Sequence, residues 1–158
     1  MKKFEFTGET KTISLLFRIA TLHRIRAVAE FGLVKVGDLG GWIEKEENLS
    51  HDGKAWVCGD AKVCGDAEVC GDAEVFSASH VLVIGAIGSR DDFTTFFRDK
   101  DNEITVKCGC FLGKIDKFLE KVTQTHGDSK YALVYRAAVE VARLQIDLSG
   151  EAPKDADE

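Results

Sequence analysis

Several groups of residues have side-chain types and spacings that could do chemistry. Gly85, Gly88, Ser89 and Arg90 follow an apolar run. Glycines beside a serine and an arginine can cradle a phosphate through backbone N–H groups while the guanidinium neutralises its charge. The segment lacks the lysine of a P-loop and the third glycine of a dinucleotide fingerprint, so a plain turn is the simpler alternative. Thr94 and Thr95 are polar residues in an apolar stretch, and with Ser89 and Arg90 they make up the candidate ligand- or partner-binding surface. Arg24 and Arg26 read more simply as paired surface charges.

Asp60, Asp66 and Asp72 recur every six residues and invite a reading as a carboxylate ladder for a metal. Each follows a glycine, which makes it a turn former first. Cys108 and Cys110 with His126 could form a partial metal site or a reactive thiol pair. A fourth ligand is not evident, and Cys-x-Cys on one strand puts both side chains on one face, where they can simply pack. No metal, no cofactor and no catalytic residue is assigned from these spacings.

The chain has 158 residues, 44% of them hydrophobic, enough for one domain or two small ones with an ordinary core. A net charge of −6 argues against broad nucleic-acid binding and against anionic membrane. No segment approaches the roughly 18 apolar residues of a membrane span, and the polar N-terminus does not read as a signal peptide, so a cytoplasmic location is expected. Five cysteines are an odd count, and Cys58, Cys64 and Cys70 occupy one fixed repeat position. They fit reduced thiols better than a disulfide framework.

The elements that would carry these residues begin with a repeat. Residues 53–58, 59–64, 65–70 and 71–76 align without a gap, with columns Gly53, Gly59, Gly65, Gly71, then Ala55, Ala61, Ala67, Ala73, then Val57, Val63, Val69, Val75. A glycine in every hexad would cost a helix about 1 kcal/mol each, which excludes a helix. Alternation puts Ala and Val on one inward face, and Gly-Asp turns the chain. Each buried Val contributes at most about 1.5–3 kcal/mol, so this core is thin. Ile43 and Leu49 continue the inward column upstream.

Residues 2–6 and 22–28 alternate as strands, with a turn expected at 7–10 and Leu22, Arg24, Arg26 and Val28 on one side. Residues 81–87 read as a buried strand, and 93–98 and 103–108 flank a turn at 99–102. A helix carrying Ile115, Phe118, Leu119 and Val122 should stop at His126-Gly127. A second helix should run from about Ser129 to Asp147 and bury Leu133, Ala137, Val141, Leu144 and Leu148.

The hexads resemble the hexapeptide-repeat proteins, whose three-sided left-handed β-helix uses about three hexads per coil. The resemblance implies a fold that is mainly β with an α+β C-terminal part. It would be a short left-handed β-solenoid of about two and a half coils, capped by an N-terminal β segment and a small sheet with two helices. The implied division is 1–36 N-terminal β cap, 37–82 solenoid, 83–149 α+β domain and 150–158 acidic tail. In such a coil only residues eighteen apart stack, so consecutive Asp or Cys residues of the repeat point apart. Together with residues 22–27, 37–43 and 47–50, the hexads look like a group of short repeat proteins met in phages and prophages, and 87–113 is similar to a module that travels with them.

Many hexapeptide-repeat proteins are trimeric acyltransferases with a histidine general base, which would make His51 or His80 the base here. His51 reads more simply as a turn residue. The reading favoured by the residues is a non-enzymatic binding protein, self-associating as a homotrimer through its short core, whose C-terminal domain binds a host protein or a small nucleotide-like ligand. The phage resemblance implies inhibition of a host factor, such as a defence component. A structural scaffold is the third alternative.

Overall fold

A computed structural model describes residues 2–149, and the acidic tail expected at 150–158 lies outside the described residues. Strands β1 (Phe4–Ser14) and β2 (Ile19–Ala27) form a long antiparallel hairpin. The turn expected at 7–10 is instead a register shift within β1, and the chain reverses after Ser14. A second shift, where β2 meets β3 (Leu39–Ile43), changes which residues face inward. Leu22 is buried as expected, but Ile25 and Ala27 are the buried residues that follow it. Arg24 and Arg26 pair instead with Glu9 and Glu5.

The capped left-handed β-solenoid expected from the hexads is not the architecture found. The described residues form two four-stranded sheets, one two-stranded sheet and two α-helices. The repeat contributes only two-residue strands, β4 (Trp56–Val57), β5 (Lys62–Val63) and β6 (Glu74–Val75). They are divided between sheets. β5 adds in parallel to β3 of the N-terminal sheet, β4 pairs in parallel with β6, and the third hexad makes only an isolated bridge from Val69 to Leu49. Strands this short, drawn off by a longer hairpin, do not build three continuous sheets. Mainly β structure with C-terminal helices is the part of the expectation that fits.

The hexad columns nonetheless do what their composition dictates. Ala55, Ala61, Ala67 and Ala73 with Val57, Val63, Val69 and Val75 are all buried, in one core with Phe4, Ile25, Ile43, Leu49 and Phe97. Gly53, Gly59, Gly65 and Gly71 take φ between 62° and 72°, the left-handed region that a side chain disfavours, and so supply the bend between hexads.

The second half is an antiparallel meander in the order β10-β9-β8-β7, with β7 (Val81–Ile87), β8 (Asp92–Arg98), β9 (Ile104–Cys108) and β10 (Phe111–Lys114). β7 is an edge strand, which is why it is half-buried and not enclosed as its apolar run suggested. One face of the sheet covers the hexad core through Phe97. The other, through Phe96, Ile104 and Val106, meets α1 (Ile115–His126) and α2 (Lys130–Gln145).

α1 follows its expected stripe, burying Ile115, Phe118 and Val122 and ending at Gly127. α2 does not. It buries Ala132, Tyr135, Ala138, Val139 and Ala142, and leaves Leu133, Ala137, Val141 and Leu144 exposed, with Leu148 half-buried. The small face wins because three alanines let the helix lie close to its neighbours, whereas leucines would hold it off.

Candidate functional site

At one end of the C-terminal sheet the β7–β8 turn, the β9–β10 turn, α1 and Tyr135 of α2 enclose a cavity of about 200 Å³. Cys108 pairs with Phe111 across β9 and β10, so Gly109 and Cys110 form a two-residue turn that brings both cysteines to the cavity. Cys110 is therefore in the turn and does not share a strand face with Cys108. α1 adds Phe118, Lys121, Thr125 and His126 from successive turns.

Of the four residues expected to form a binding surface, Ser89 and Arg90 line this cavity. Thr94 and Thr95 do not reach it. Both are buried on β8, pointing to opposite sides of the sheet. The Thr94 hydroxyl donates to Cys108 Sγ at 3.3 Å, directly behind the cavity wall, and Thr95 Oγ1 accepts the Glu68 backbone N–H at 2.9 Å, tying the sheet to the third hexad.

The floor is aromatic. The Phe118 ring stands at 90° to Tyr135 with centroids 5.7 Å apart and is tilted against Phe111 at 5.5 Å, while His126 stacks on Tyr135 at 5.8 Å. Burial pushes the Tyr135 phenol above its ordinary pKa. The neighbouring Cys108 adds to this, and Arg90 opposes it. The phenol thus keeps its proton at neutral pH and serves as a neutral donor. The cavity therefore combines aromatic rings set at steep angles to one another, a neutral hydroxyl, the Asp92 carboxylate and two exposed cations, Arg90 and Lys121.

Sequence reasoning missed Tyr135, Phe111 and Lys121. The signal for Tyr135 lay in the small-residue stripe of alanines at 132, 138 and 142, which competes with the leucine stripe on the same helix. Cys108, Cys110 and His126 do line one cavity, yet among the described residues no group of three such side chains is arranged to hold a metal ion.

The remaining candidates lie elsewhere. His51 Nδ1 accepts the Lys3 backbone N–H at 3.0 Å, its Nε2 lies 3.1 Å from Glu46 Oε1, and its ring stacks on Phe4 at 4.2 Å. His80 Nδ1 accepts the Phe76 N–H at 3.1 Å, and burial, aided by Arg98, lowers its pKa. Asp66 pairs with Lys45 and Asp72 with Lys100. A second cavity of about 400 Å³ is lined by Lys45, Glu47, Asp66, Glu68 and Lys107 and shares Asp92 and Gly109 with the first. Its lysines already face in-chain carboxylates, Lys45 with Asp66 at 2.8 Å and Lys107 with Glu68 at 3.5 Å.

No protein-family model and no curated protein matches this chain. No described helix is long and apolar enough to cross a membrane.

Proposed function

We propose that this is a non-enzymatic binding protein that captures a small nucleotide-like ligand in the cavity lined by Ser89, Arg90, Phe111, Phe118, Lys121 and Tyr135. One observation carries the reading, an aromatic floor with two cations on the same cavity. A base stacks on aromatic faces with little regard to its identity, and a phosphate is drawn to Arg and Lys. At about 200 Å³ the space takes a nucleobase-sized group, with the remainder of the ligand along the exposed rim beside Arg90. The N-terminal sheet and the hexads act as rigid support for the turns that form the site.

The acyltransferase alternative needs an imidazole with a free lone pair. At His51 the lone pair of Nδ1 is already taken by the Lys3 N–H, and at His80 that of Nδ1 is taken by Phe76. The host-protein alternative draws support from the β1–β2 turn, where Leu16 and Phe17 are 88% and 93% exposed. In the phage setting implied by the resemblance, the ligand or host factor would be sequestered in the host cytoplasm. The odd cysteine count fits that reducing compartment.

The test is thermal unfolding with a panel of nucleoside mono- and diphosphates. A ligand at 100 times its Kd stabilises the fold by about 2.7 kcal/mol, several degrees in Tm for a chain of this size. The shift should vanish in Arg90→Ala and survive in His51→Ala. No shift with any member at about 1 mM, or a shift retained in Arg90→Ala, removes the reading.

A further inference from the structure

The α2 helix is apolar on two sides, and only one of them is covered. At 100° per residue, Leu133, Ala137, Val141 and Leu144 fall within about 80° of one another, roughly opposite the buried face centred on Tyr135 and Ala142. Leu133 is 60%, Val141 47% and Leu144 88% exposed. A solvated helix face has no reason to carry two leucines and a valine at this spacing, and the stripe runs nearly the length of a 16-residue helix, about 24 Å.

We propose that this stripe is a dimer interface, occupied by the same stripe of a second copy in antiparallel orientation. The charges beside it select that occupant and that direction. Arg136, Glu140 and Arg143 flank one side of the stripe, with Arg143 bonded to Glu140 at 2.8 Å. In a parallel pair this flank would instead face the opposite flank of the partner, at Val134 and Gln145, and neither Arg136 nor Glu140 would meet an opposite charge there. With a twofold axis beside residues 138 and 139 of antiparallel helices, Arg136 of each copy faces Glu140 of the other, and opposite charges meet twice. The same register sets Leu133 of each copy against Leu144 of the other. It also brings Ala137 beside the axis, where a small side chain lets the helices approach to about 8–10 Å. Sequence, exposure and charge all satisfy one self-complementary arrangement.

This gives the self-association expected from the sequence a surface on α2 and an order of two, in place of three through the hexads. A single helix face is small beside the roughly 800 Å² that each partner contributes to a tight complex, so the dimer is reversible, with half-association expected at about 10–500 μM. The proposal is independent of the ligand cavity, since the stripe and Tyr135 lie on opposite faces of α2.

Sedimentation equilibrium of the full chain tests it. The weight-average mass should rise from 17.3 kDa toward twice that value as concentration increases. The double variant Leu133→Glu, Leu144→Glu should stay monomeric across the range and, at a concentration low enough for the wild type to be monomeric, should unfold at the wild-type midpoint, because both side chains are exposed in the monomer. Glu140→Arg should weaken association at least tenfold, and adding Arg136→Glu should restore most of it. A wild-type monomer at about 500 μM, a trimer, or a dimer insensitive to the Leu133 and Leu144 changes overturns the interface. Failure of the charge swap to restore association overturns the antiparallel register.

Discussion

Phe96 and Phe97 are consecutive residues of β8, both fully buried, and they point into different cores. Phe97 packs with the alanine and valine columns of the hexads, Phe96 with the residues of α1 and α2. Successive side chains of a strand alternate faces, so β8 is the shared wall of both halves of the molecule. Phe96→Ala and Phe97→Ala should each cost about 3–5 kcal/mol. The rings touch different partners, so the double variant should cost close to the sum. Guanidinium titration of the three variants checks this, and a biphasic transition in either single variant would show the two cores unfolding separately.

Asp99 closes the β8–β9 turn as a buried carboxylate with four donors. It accepts from the Thr105 hydroxyl at 2.6 Å, Lys114 Nζ at 3.0 Å, and the backbone N–H groups of Asp101 at 2.9 Å and Glu103 at 3.2 Å. Burial pushes its pKa up, but the hydrogen bonds outweigh burial and hold it below the usual value. A depressed folded pKa gives stability that is present above the ordinary carboxylate value and lost as pH falls through the folded one. Asp99→Asn should therefore cost about 3 kcal/mol at pH 7. The gap from wild type should narrow steadily in urea titrations taken from pH 5 down to about pH 2.5.

Glu44 receives both Arg18 guanidinium nitrogens, at 2.5 and 2.8 Å, and the Gly65 N–H at 2.7 Å. The Arg18 contact, opposed by partial burial and aided by Gly65, brings its pKa down to about 2. The stability it adds is present above about pH 4.5 and disappears as pH falls through about 2. Because the Arg18 side chain is about half exposed and solvent screens the pair, Glu44→Gln should cost only about 1 kcal/mol at pH 7. The difference should shrink in high salt if the guanidinium dominates, which denaturation at low and high ionic strength reads directly.

Gly88 leaves room for Tyr135. Its φ is +79°, and a Cβ there would stand 1.9 Å from the Tyr135 hydroxyl oxygen. Gly88→Ala should displace the phenol and cost about 2 kcal/mol or more. It should also weaken nucleotide binding, measured by calorimetry, more than Tyr135→Phe does, since the phenylalanine keeps the ring in place. Equal binding in Gly88→Ala and wild type would mean that Tyr135 is not part of the ligand site.

The sequence by itself determined local pitch and composition. The alanine and valine columns of the repeat are buried residue for residue, α1 ends at Gly127, and the chain turns at Asp99. These features depend on contacts within a few residues or on a strict period. Tertiary structure decided the rest. It divided the hexads between sheets, because a two-residue strand belongs to whichever longer strand lies beside it. It buried Thr94 and Thr95, because β8 is covered on both faces. On α2 both the alanine and the leucine stripes satisfy the period of a helix. Only the close approach of the sheet and α1 favoured the smaller one, which placed Tyr135 in the cavity and left Leu133 and Leu144 facing outward.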